Sequence, residues 1–429
     1  MTKNIDLILK EVLPKVSPTK EEYKLMNNLL KEFLKKLNAQ IKKQNISAQV
    51  FVGGSFAKNT LVKKDKYDAD VFVRFDKKYK GEELSSKLKK VLDKAIKEDE
   101  YLVIHGSRDY FKISLTDFFY IELVPVRKVS SPKESENITD LSYSHVKYLS
   151  KKIKSEKTLN EIKIAKAFAH FAKCYGAESY ISGFSGYSIE LLVVYYGSFE
   201  KFLNGILKAK EKEVIDIEKL YKKKQDVLLD LNSSKLSSPI ILIDPTYKQR
   251  NALAALSNET LNKFKKYSRE FLKNPSIKYF EEQNIDLEQI KEKAKIEKNE
   301  IAIFEISTKK QEGDVAGSKL LKFYNNFSSE ISRFYNVKEK GFTYNGKQKA
   351  RFFLVLKNKE EIIFNGPSKE EKEGILKFKK AHKKVEMRDG KLFAKEKFNL
   401  KIKDFFNIWK KKNSRKIKEM YLESIELKQ

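Results

Sequence analysis

The segment YDADVFVRF, residues 67–75, is the feature that most constrains how this chain folds. Residues two apart in a β-strand point to the same side of the sheet, so Asp68 and Asp70 share one face and Val71 and Val73 lie on the other. The alternation predicts a strand over 68–74 that buries its valines and carries two adjacent carboxylates.

Other segments around this strand indicate a mixed α+β domain over 1–150, a helix packed on a small sheet. The helix has apolar residues at helical spacing after Pro18-Thr19. We predict a helix over 19–44, strands over 48–52, 111–115 and 119–126, and a short helix beginning within 57–60.

Beyond this domain the pattern changes twice. We predict helices from about 159 to 272, among them 251–264 after breaks at Pro239 and Asp244-Pro245. Strands return at 300–306, 350–356 and 361–364, and the Lys-rich end over 398–428 is predicted to be helical. A chain of 429 residues is expected to form roughly two to four domains.

Composition excludes several classes of protein. Cys174 is the only cysteine, which rules out an intrachain disulfide and a thiolate metal cluster, and four scattered histidines argue against a zinc site. The longest apolar run, 191–196, is too short to span a membrane, and residues 1–10 lack a signal-peptide core, so we expect a cytoplasmic protein. A net charge of +30 favours a polyanionic partner, although a general bias towards lysine is an equally good explanation.

Three acidic residues form the candidate catalytic set. Asp68 and Asp70 share a strand face, and Glu122 lies on a later predicted strand among apolar residues. Clustered carboxylates repel one another unless a cation lies between them, and carboxylate oxygens are the ligands that Mg²⁺ prefers. Phosphoryl transfer uses such ions, often two about 3.5–4 Å apart, to neutralise phosphates and activate a hydroxyl.

The turn Gly53-Gly54-Ser55 follows the strand over 48–52. Without side chains at Gly53 and Gly54, backbone amides and the Ser55 hydroxyl can approach phosphates. Each of these features alone has an ordinary structural explanation, a solvated strand edge or a simple turn. Their combination, in the order strand, GGS, helix, strand with DxD, strand with a carboxylate, favours catalysis.

These motifs in turn carry a family resemblance. The order GGSFAKNT, YDADVFVRF and YIELVPV resembles the nucleotidyltransferase superfamily that includes poly(A) polymerases and CCA-adding enzymes. Further segments, NEIKIAKAF, SGFSGYSIELLVVYYGSF and DPTYKQRNALAALS, resemble the archaeal-type (class I) CCA-adding enzyme, with the match running from about residue 48 to 260.

The resemblance implies a palm-like head over 1–150, a helical neck over 151–275, and an α/β body and tail over 276–429 that bind the tRNA acceptor arm. It implies template-independent addition of CCA to the tRNA 3′ end from CTP and ATP, with two Mg²⁺ ions. A monomer and a homodimer are both compatible with the sequence.

The resemblance also implies roles for individual residues. Asp68, Asp70 and Glu122 are expected to bind the metals and catalyse transfer. Arg250 is expected to read the incoming base. The residues expected to bind the nucleotide triphosphate are Gly54, Ser55, Lys58, His145, Lys166 and Tyr175. Considered without the resemblance, His145 and Lys166 are typical solvated residues and Tyr175 a typical packing residue.

The sequence departs from the family pattern at a few positions. Lys58 stands where arginine is usual, which replaces a bidentate phosphate contact with a point charge. Phe56 replaces a frequent tyrosine, Asp68 a common glutamate, and Ser368 the second proline of a Gly-Pro-Pro. These changes bear on affinity rather than on activity.

The C-terminal basic segment is a candidate RNA-binding surface. Phe405 and Trp409 have the spacing of core residues, whereas Lys410, Lys411 and Lys412 are expected to contact the tRNA backbone. Two other functions are compatible with parts of the sequence. One is another enzyme of the superfamily, a poly(A) polymerase or a second-messenger synthetase, and the other is a non-catalytic RNA-binding protein.

Overall fold

The computed structural model divides the chain into two compact units, residues 1–283 and 284–429, which we call the first and second units. It describes residues 2–97, 100–282, 286–382 and 384–428. Both units combine helices with small sheets, which confirms the predicted mixed α+β class.

The first unit contains a five-stranded sheet, a three-stranded sheet and a group of helices. Its strands are β1 (Ala48–Val52), β2 (Tyr67–Phe75), β3 (Tyr101–Ile104), β4 (Tyr110–Ser114), β5 (Phe119–Arg127), β6 (Glu213–Asp216), β7 (Ile240–Asp244) and β8 (Tyr247–Asn251). Its helices are α1 (Thr2–Val16), α2 (Lys20–Lys43), α3 (Gly54–Ala57), α4 (Leu84–Ala95), α5 (Ser142–Lys152), α6 (Glu156–Phe171), α7 (Gly186–Tyr196), α8 (Phe199–Lys208), α9 (Lys224–Asp230), α10 (Ser233–Leu236) and α11 (Asn258–Lys273).

The five-stranded sheet has the order β1-β2-β5-β4-β3, and its central pair, β2 and β5, is parallel. Helices α2 and α4 cover one face, where Ala69 and Val71 are fully buried. Helix α2 begins at the predicted place because Thr19 and Glu22 form a capping box, each side chain bonding the other's backbone N–H. The strands predicted over 48–52, 68–74, 111–115 and 119–126 correspond to β1, β2, β4 and β5.

The helices of the first unit share a second core. Phe168 on α6 is fully buried and its ring packs on those of Phe199, Phe264 and Phe271. Helix α1 packs in this core and not in that of the sheet, because its buried residues contact the helical cluster.

The prediction of an entirely helical region from 159 to 272 is wrong. Strands β6, β7 and β8 form a three-stranded sheet within it, and the predicted helix over 251–264 begins only at Asn258, as α11. The run Ile240–Asp244 is buried throughout, and such a short apolar run has no periodicity that separates a strand from a helix. One other prediction needs a smaller correction, because the short helix predicted to begin within 57–60 lies at Gly54–Ala57.

The second unit contains a four-stranded sheet of order β10-β11-β9-β15 and a three-stranded sheet of order β12-β14-β13. Its strands are β9 (Glu300–Ser307), β10 (Tyr335–Tyr344), β11 (Lys349–Asn358), β12 (Glu361–Ser368), β13 (Val385–Arg388), β14 (Lys391–Lys397) and β15 (Ser424–Leu427). Its helices are α12 (Leu287–Ile296), α13 (Asp314–Ile331), α14 (Lys372–Ala381), α15 (Ile402–Lys412) and α16 (Ser414–Glu419).

The predicted helical end over 398–428 is only partly helical. Helices α15 and α16 end at Glu419, and β15 then pairs with β9, where it places Ile425 in the core. A single strand that completes a sheet edge is decided by its distant partner, so local periodicity does not indicate it. Among the described residues, no helix combines the length and apolarity needed to cross a bilayer. The division into head, neck, and body with tail stays a prediction.

Candidate active site

The three predicted catalytic carboxylates lie on the two central strands of the five-stranded sheet. Asp68 and Asp70 belong to β2 and Glu122 to β5, and the parallel register pairs Asp70 directly with Glu122. Paired residues on neighbouring strands project to the same face, and the two strands lie about 4.8 Å apart. Their neighbours Ala69 and Ile121 are fully buried on the opposite face. The sheet therefore brings the three carboxylates together on one side.

Burial and mutual repulsion change the acidity of two of these groups. Burial, and then the charge of Asp68, raises the pKa of Asp70 to about 6. Burial, and then the charges of Asp70 and Asp68, raises the pKa of Glu122 to about 7. Carboxylates whose charged form is disfavoured in this way gain most from a nearby cation.

The arrangement stops short of a complete metal site. Among the described residues, no three or more His, Cys, Asp or Glu side chains are arranged so that they could hold a metal ion. Asp68 is instead ion-paired with Lys64, at 2.8 Å between Nζ and Oδ1. The donor set still suits Mg²⁺, because it consists of carboxylate oxygens on adjacent strands, and Asp68 must exchange its lysine for a metal to complete it.

The glycine turn lies against Asp70. The Gly53 amide donates to the Asp70 carbonyl at 2.8 Å, and Gly54 has a φ of +59°. A Cβ at Gly54 would lie 1.6 Å from Asp70 Oδ2, so only glycine fits here. Ser55 follows in helix α3, at the same edge of the sheet.

Lys58 and Lys166, predicted to bind the triphosphate, both contact Glu190. Lys58 Nζ lies 2.5 Å from Glu190 Oε2, and Lys166 Nζ lies 2.7 Å from Oε1. The Thr60 hydroxyl donates to Glu190 Oε1 at 2.6 Å. Lys166 is only 2% exposed. The interpretation of Lys166 as a solvated residue, which its sequence position suggests without the family resemblance, is therefore wrong.

A second buried cluster forms around Asp244, at the end of β7. Its carboxylate accepts hydrogen bonds from Arg250 at 2.5 Å and from the Tyr187 hydroxyl at 3.0 Å, and its Oδ2 lies 3.0 Å from His145 Nε2. The Thr246 amide and hydroxyl both donate to Asp244 Oδ1. The rings of His145 and Tyr187 lie 4.3 Å apart between centroids, which joins α5 to α7.

Asp244 controls the charge of this cluster. Burial alone would raise the pKa of Asp244, but the hydrogen bond from His145 and the charges of His145 and Arg250 lower it well below its usual range. Burial lowers the pKa of His145. The predicted base-reading residue Arg250, which lies on β8 and not at a helix start, is therefore held by an ionised carboxylate.

Tyr175 is half-buried against the helical core of the first unit. Its hydroxyl faces Gly186, where a Cβ would lie 2.7 Å from it, and burial raises the pKa of the phenol. The predicted RNA-binding lysines, Lys410, Lys411 and Lys412, lie in the second unit on α15. All three lysines are exposed, and Lys410 also donates to the Ile425 carbonyl at 2.8 Å.

Sequence reasoning missed Glu190, Asp244 and Tyr187. A signal was present for Glu190, because it is the only charged residue in GYSIELLVVYY, and a lone charge in an apolar helix is buried only when it is paired. Asp244 was interpreted only as part of a turn with Pro245. No sequence pattern indicates that Tyr187 reaches it.

Comparisons with known proteins agree with these features. Residues 30–120 match the model of the nucleotidyltransferase domain, and residues 160–281 match that of the tRNA nucleotidyltransferase second domain. Crystal structures of the Cid1 poly(U) polymerase share the fold, with a TM-score of 0.52 and 14% identity over 66% of this chain and 100% of that one.

The sequence relatives are CCA-adding enzymes. That of Nanoarchaeum equitans is 45% identical over 210 residues, which is 48% of this chain and about half (51%) of that protein. That of Saccharolobus shibatae is 30% identical over 64% of this chain and 61% of that protein. That of Methanocaldococcus jannaschii is 31% identical over 397 residues, 91% of this chain and 87% of that protein. A match that covers 91% of this chain and 87% of that protein confirms the predicted resemblance: the chain belongs to the family of CCA-adding enzymes.

Proposed function

We propose that this protein adds CCA to the 3′ end of tRNA, using CTP and then ATP without a nucleic-acid template. The observation that carries the proposal is the direct pairing of Asp70 with Glu122 in a chain that matches a CCA-adding enzyme over most of its length. Because tRNA is the substrate, we place the activity in the cytoplasm.

The reaction is attack of the RNA 3′-hydroxyl on the α-phosphate, with release of pyrophosphate. Two Mg²⁺ ions bound by Asp68, Asp70 and Glu122 would supply charge neutralisation and an activated hydroxyl. The carboxylates orient the reacting groups, with Asp70 and Glu122 on the hydroxyl side and Asp68 and Asp70 on the triphosphate side.

Residues around the carboxylates bind the rest of the nucleotide. Gly54 and Ser55 offer backbone amides and a hydroxyl to the phosphates, and Lys58 and Lys166 offer positive charge. His145 and Tyr175 complete the triphosphate side. Arg250 binds Asp244 through Nη1, and its other N–H donors would bind the edge of the incoming base.

The second unit would bind the acceptor arm. Duplex RNA is recognised by shape and by phosphate contacts, to which the exposed Lys411 and Lys412 are suited. Lys410, predicted to act with them, has one contact already with the Ile425 carbonyl. The division into a head over 1–150, a neck over 151–275, and a body and tail over 276–429 belongs to the same proposal.

The test is a tRNA that ends before CCA, mixed with labelled CTP and ATP. We expect two C additions followed by one A. Asp70→Ala should abolish all three, whereas Asp65→Ala, which alters an exposed carboxylate in the preceding loop, should leave them unchanged. Tails of A alone on any RNA would identify a poly(A) polymerase, and tRNA binding without any addition would identify a non-catalytic protein.

A further inference from the structure

The buried cluster of Glu190, Lys58, Lys166 and Thr60 contains more positive than negative charge. Two ammonium groups contact a single carboxylate, and the side chains of Lys58, Lys166 and Glu190 are 7%, 2% and 0% exposed. Buried charges are stable when they are paired, and Glu190 supplies one negative charge to two ammonium groups, so this group of described residues keeps an excess of one positive charge. Such a cluster is suited to receive an anion.

The cluster also joins separate segments of the first unit. Lys58 follows helix α3 and Thr60 lies in the next loop, whereas Lys166 belongs to α6 and Glu190 to α7. Lys166 Nζ donates to both the hydroxyl and the carbonyl of Thr60, at 3.0 and 3.2 Å. The hydrogen bonds therefore fix both ammonium groups relative to the turn that contains Gly54.

The ammonium groups are close enough to the carboxylate site to act on it. Although burial raises the pKa of Asp70, the charges of Lys58 and Lys166 lower it. A triphosphate placed beside Asp70 would therefore meet both lysines.

We propose that Glu190 is a positioning residue, which keeps Lys58 and Lys166 ionised and correctly placed for the triphosphate without touching the nucleotide itself. This inference rests on the proposed function, because it assumes that a nucleoside triphosphate binds beside Asp70. Glu190, the one charged residue of α7, would thus promote the binding of an anion indirectly, through the two lysines.

The physical reason is the repulsion between the two ammonium groups. Both lie within hydrogen-bond distance of one carboxylate, so their nitrogens are close to each other. At the effective dielectric of a protein, two like charges roughly 5 Å apart lower the pKa of one of them by about two units when nothing compensates them. Lys166, which is the more buried, would lose its proton first.

The experiment is the binding of α,β-methylene CTP, with Mg²⁺ and without RNA, at pH 7.5 and pH 9. Asp70 and Glu122, with pKa values of about 6 and about 7, titrate mainly below this window, and the wild-type profile accounts for the rest of their titration. Near Lys58 or Lys166 the described charged or titratable groups include Lys64, Asp70, His145, Tyr175 and Glu190.

We expect Glu190→Gln to lose about fourfold in affinity between pH 7.5 and pH 9, while the wild type changes less than about twofold. The matched control is Glu161→Gln, which alters a half-buried carboxylate that only caps α8 through the Phe199 amide, at 2.7 Å. It should follow the wild type at both pH values. Parallel profiles for Glu190→Gln and the wild type would overturn the inference, whatever happens to thermal stability.

A double variant covers the case in which Glu190→Gln does not fold. Lys166→Gln with Glu190→Gln replaces the buried ion pair by two amides and keeps the positive charge of Lys58. We expect it to fold and to bind the analogue about tenfold more weakly at both pH values, because one ammonium group is gone and none is left to titrate. Affinity equal to the wild type would show that the pair is only structural.

The outcome is separable from that of the proposed function, because analogue binding requires no transfer. A protein that binds the analogue as expected but fails to extend tRNA would retain the role of Glu190 and lose the CCA assignment. If the protein adds CCA but its Glu190→Gln variant has the pH profile of the wild type, the CCA assignment is retained and the role of Glu190 is lost.

Discussion

Asp70 and Glu122 are directly paired residues on neighbouring parallel strands, although 52 positions separate them along the chain. The pairing places two acids on one face of a sheet whose opposite face is core. Burial and mutual repulsion disfavour the charged forms of both carboxylates. When ionised, these groups therefore lower the free energy of unfolding, and this effect can be measured.

Glu122→Gln should stabilise the metal-free protein at pH 8. The pKa of Glu122 is raised from 4.5 to about 7, so the folded state holds a proton more tightly than the unfolded state does. That stabilising effect is complete below about pH 4.5 and is lost as the pH rises through about 7. Urea unfolding in EDTA should show a gain of about 3 kcal/mol at pH 8 and little change at pH 4.5. The exposed Glu82→Gln is the control, and an equal gain there would contradict the explanation.

Gly54→Ala should abolish nucleotide addition and also destabilise the protein. A Cβ would collide with Asp70 Oδ2, and the φ of +59° is unfavourable for alanine. Gly197→Ala separates the two causes, because Gly197 has a φ of +88° and no atom within 4 Å of its Cβ position. We expect Gly197→Ala to cost about 1 kcal/mol in unfolding free energy and to retain activity. Equal activity in the two variants would mean that the contact with Asp70 is unimportant.

Asp244→Asn should reduce the fidelity of base choice. It removes the carboxylate that holds Arg250 and His145, and leaves the guanidinium without a buried partner. Breaking a buried pair costs about 3–5 kcal/mol, so the unfolding free energy should fall as well. The measurement is the ratio of C to U added to a tRNA that ends before CCA.

The control is Asp230→Asn, which alters a carboxylate that accepts a hydrogen bond from the Tyr221 hydroxyl. An unchanged ratio of C to U in Asp244→Asn would exclude a role of Asp244 in base selection.

Lys411→Ala and Lys412→Ala should each weaken tRNA binding and reduce the slope of log affinity against log salt by about 1. Both lysines are exposed on α15. Lys410→Ala should instead lower stability by about 1 kcal/mol, because it removes a hydrogen bond to the Ile425 carbonyl. Filter binding at several salt concentrations gives the slopes, and an unchanged slope in the first two variants would remove these lysines from the RNA-binding surface.

Local sequence determined those parts of the protein whose signal lies within a few residues. The alternation of Asp68, Asp70 and the valines indicates a strand and its two faces, because side chains alternate along any β-strand. The capping box at Thr19 and the spacing of apolar residues behind it determine α2. The family motifs named the candidate residues in the same way, one segment at a time.

The tertiary structure decided which of those segments meet. The register of β2 on β5, the convergence of Lys58 and Lys166 on Glu190, and the approach of His145 and Arg250 to Asp244 all join residues far apart in sequence. A buried ion pair or a strand pairing is selected by the free energy of burying both partners at once. No single segment contains that free energy. For this reason the segment of β7 is predicted from sequence to be helical, and the partners of Glu190 are found only in the folded protein.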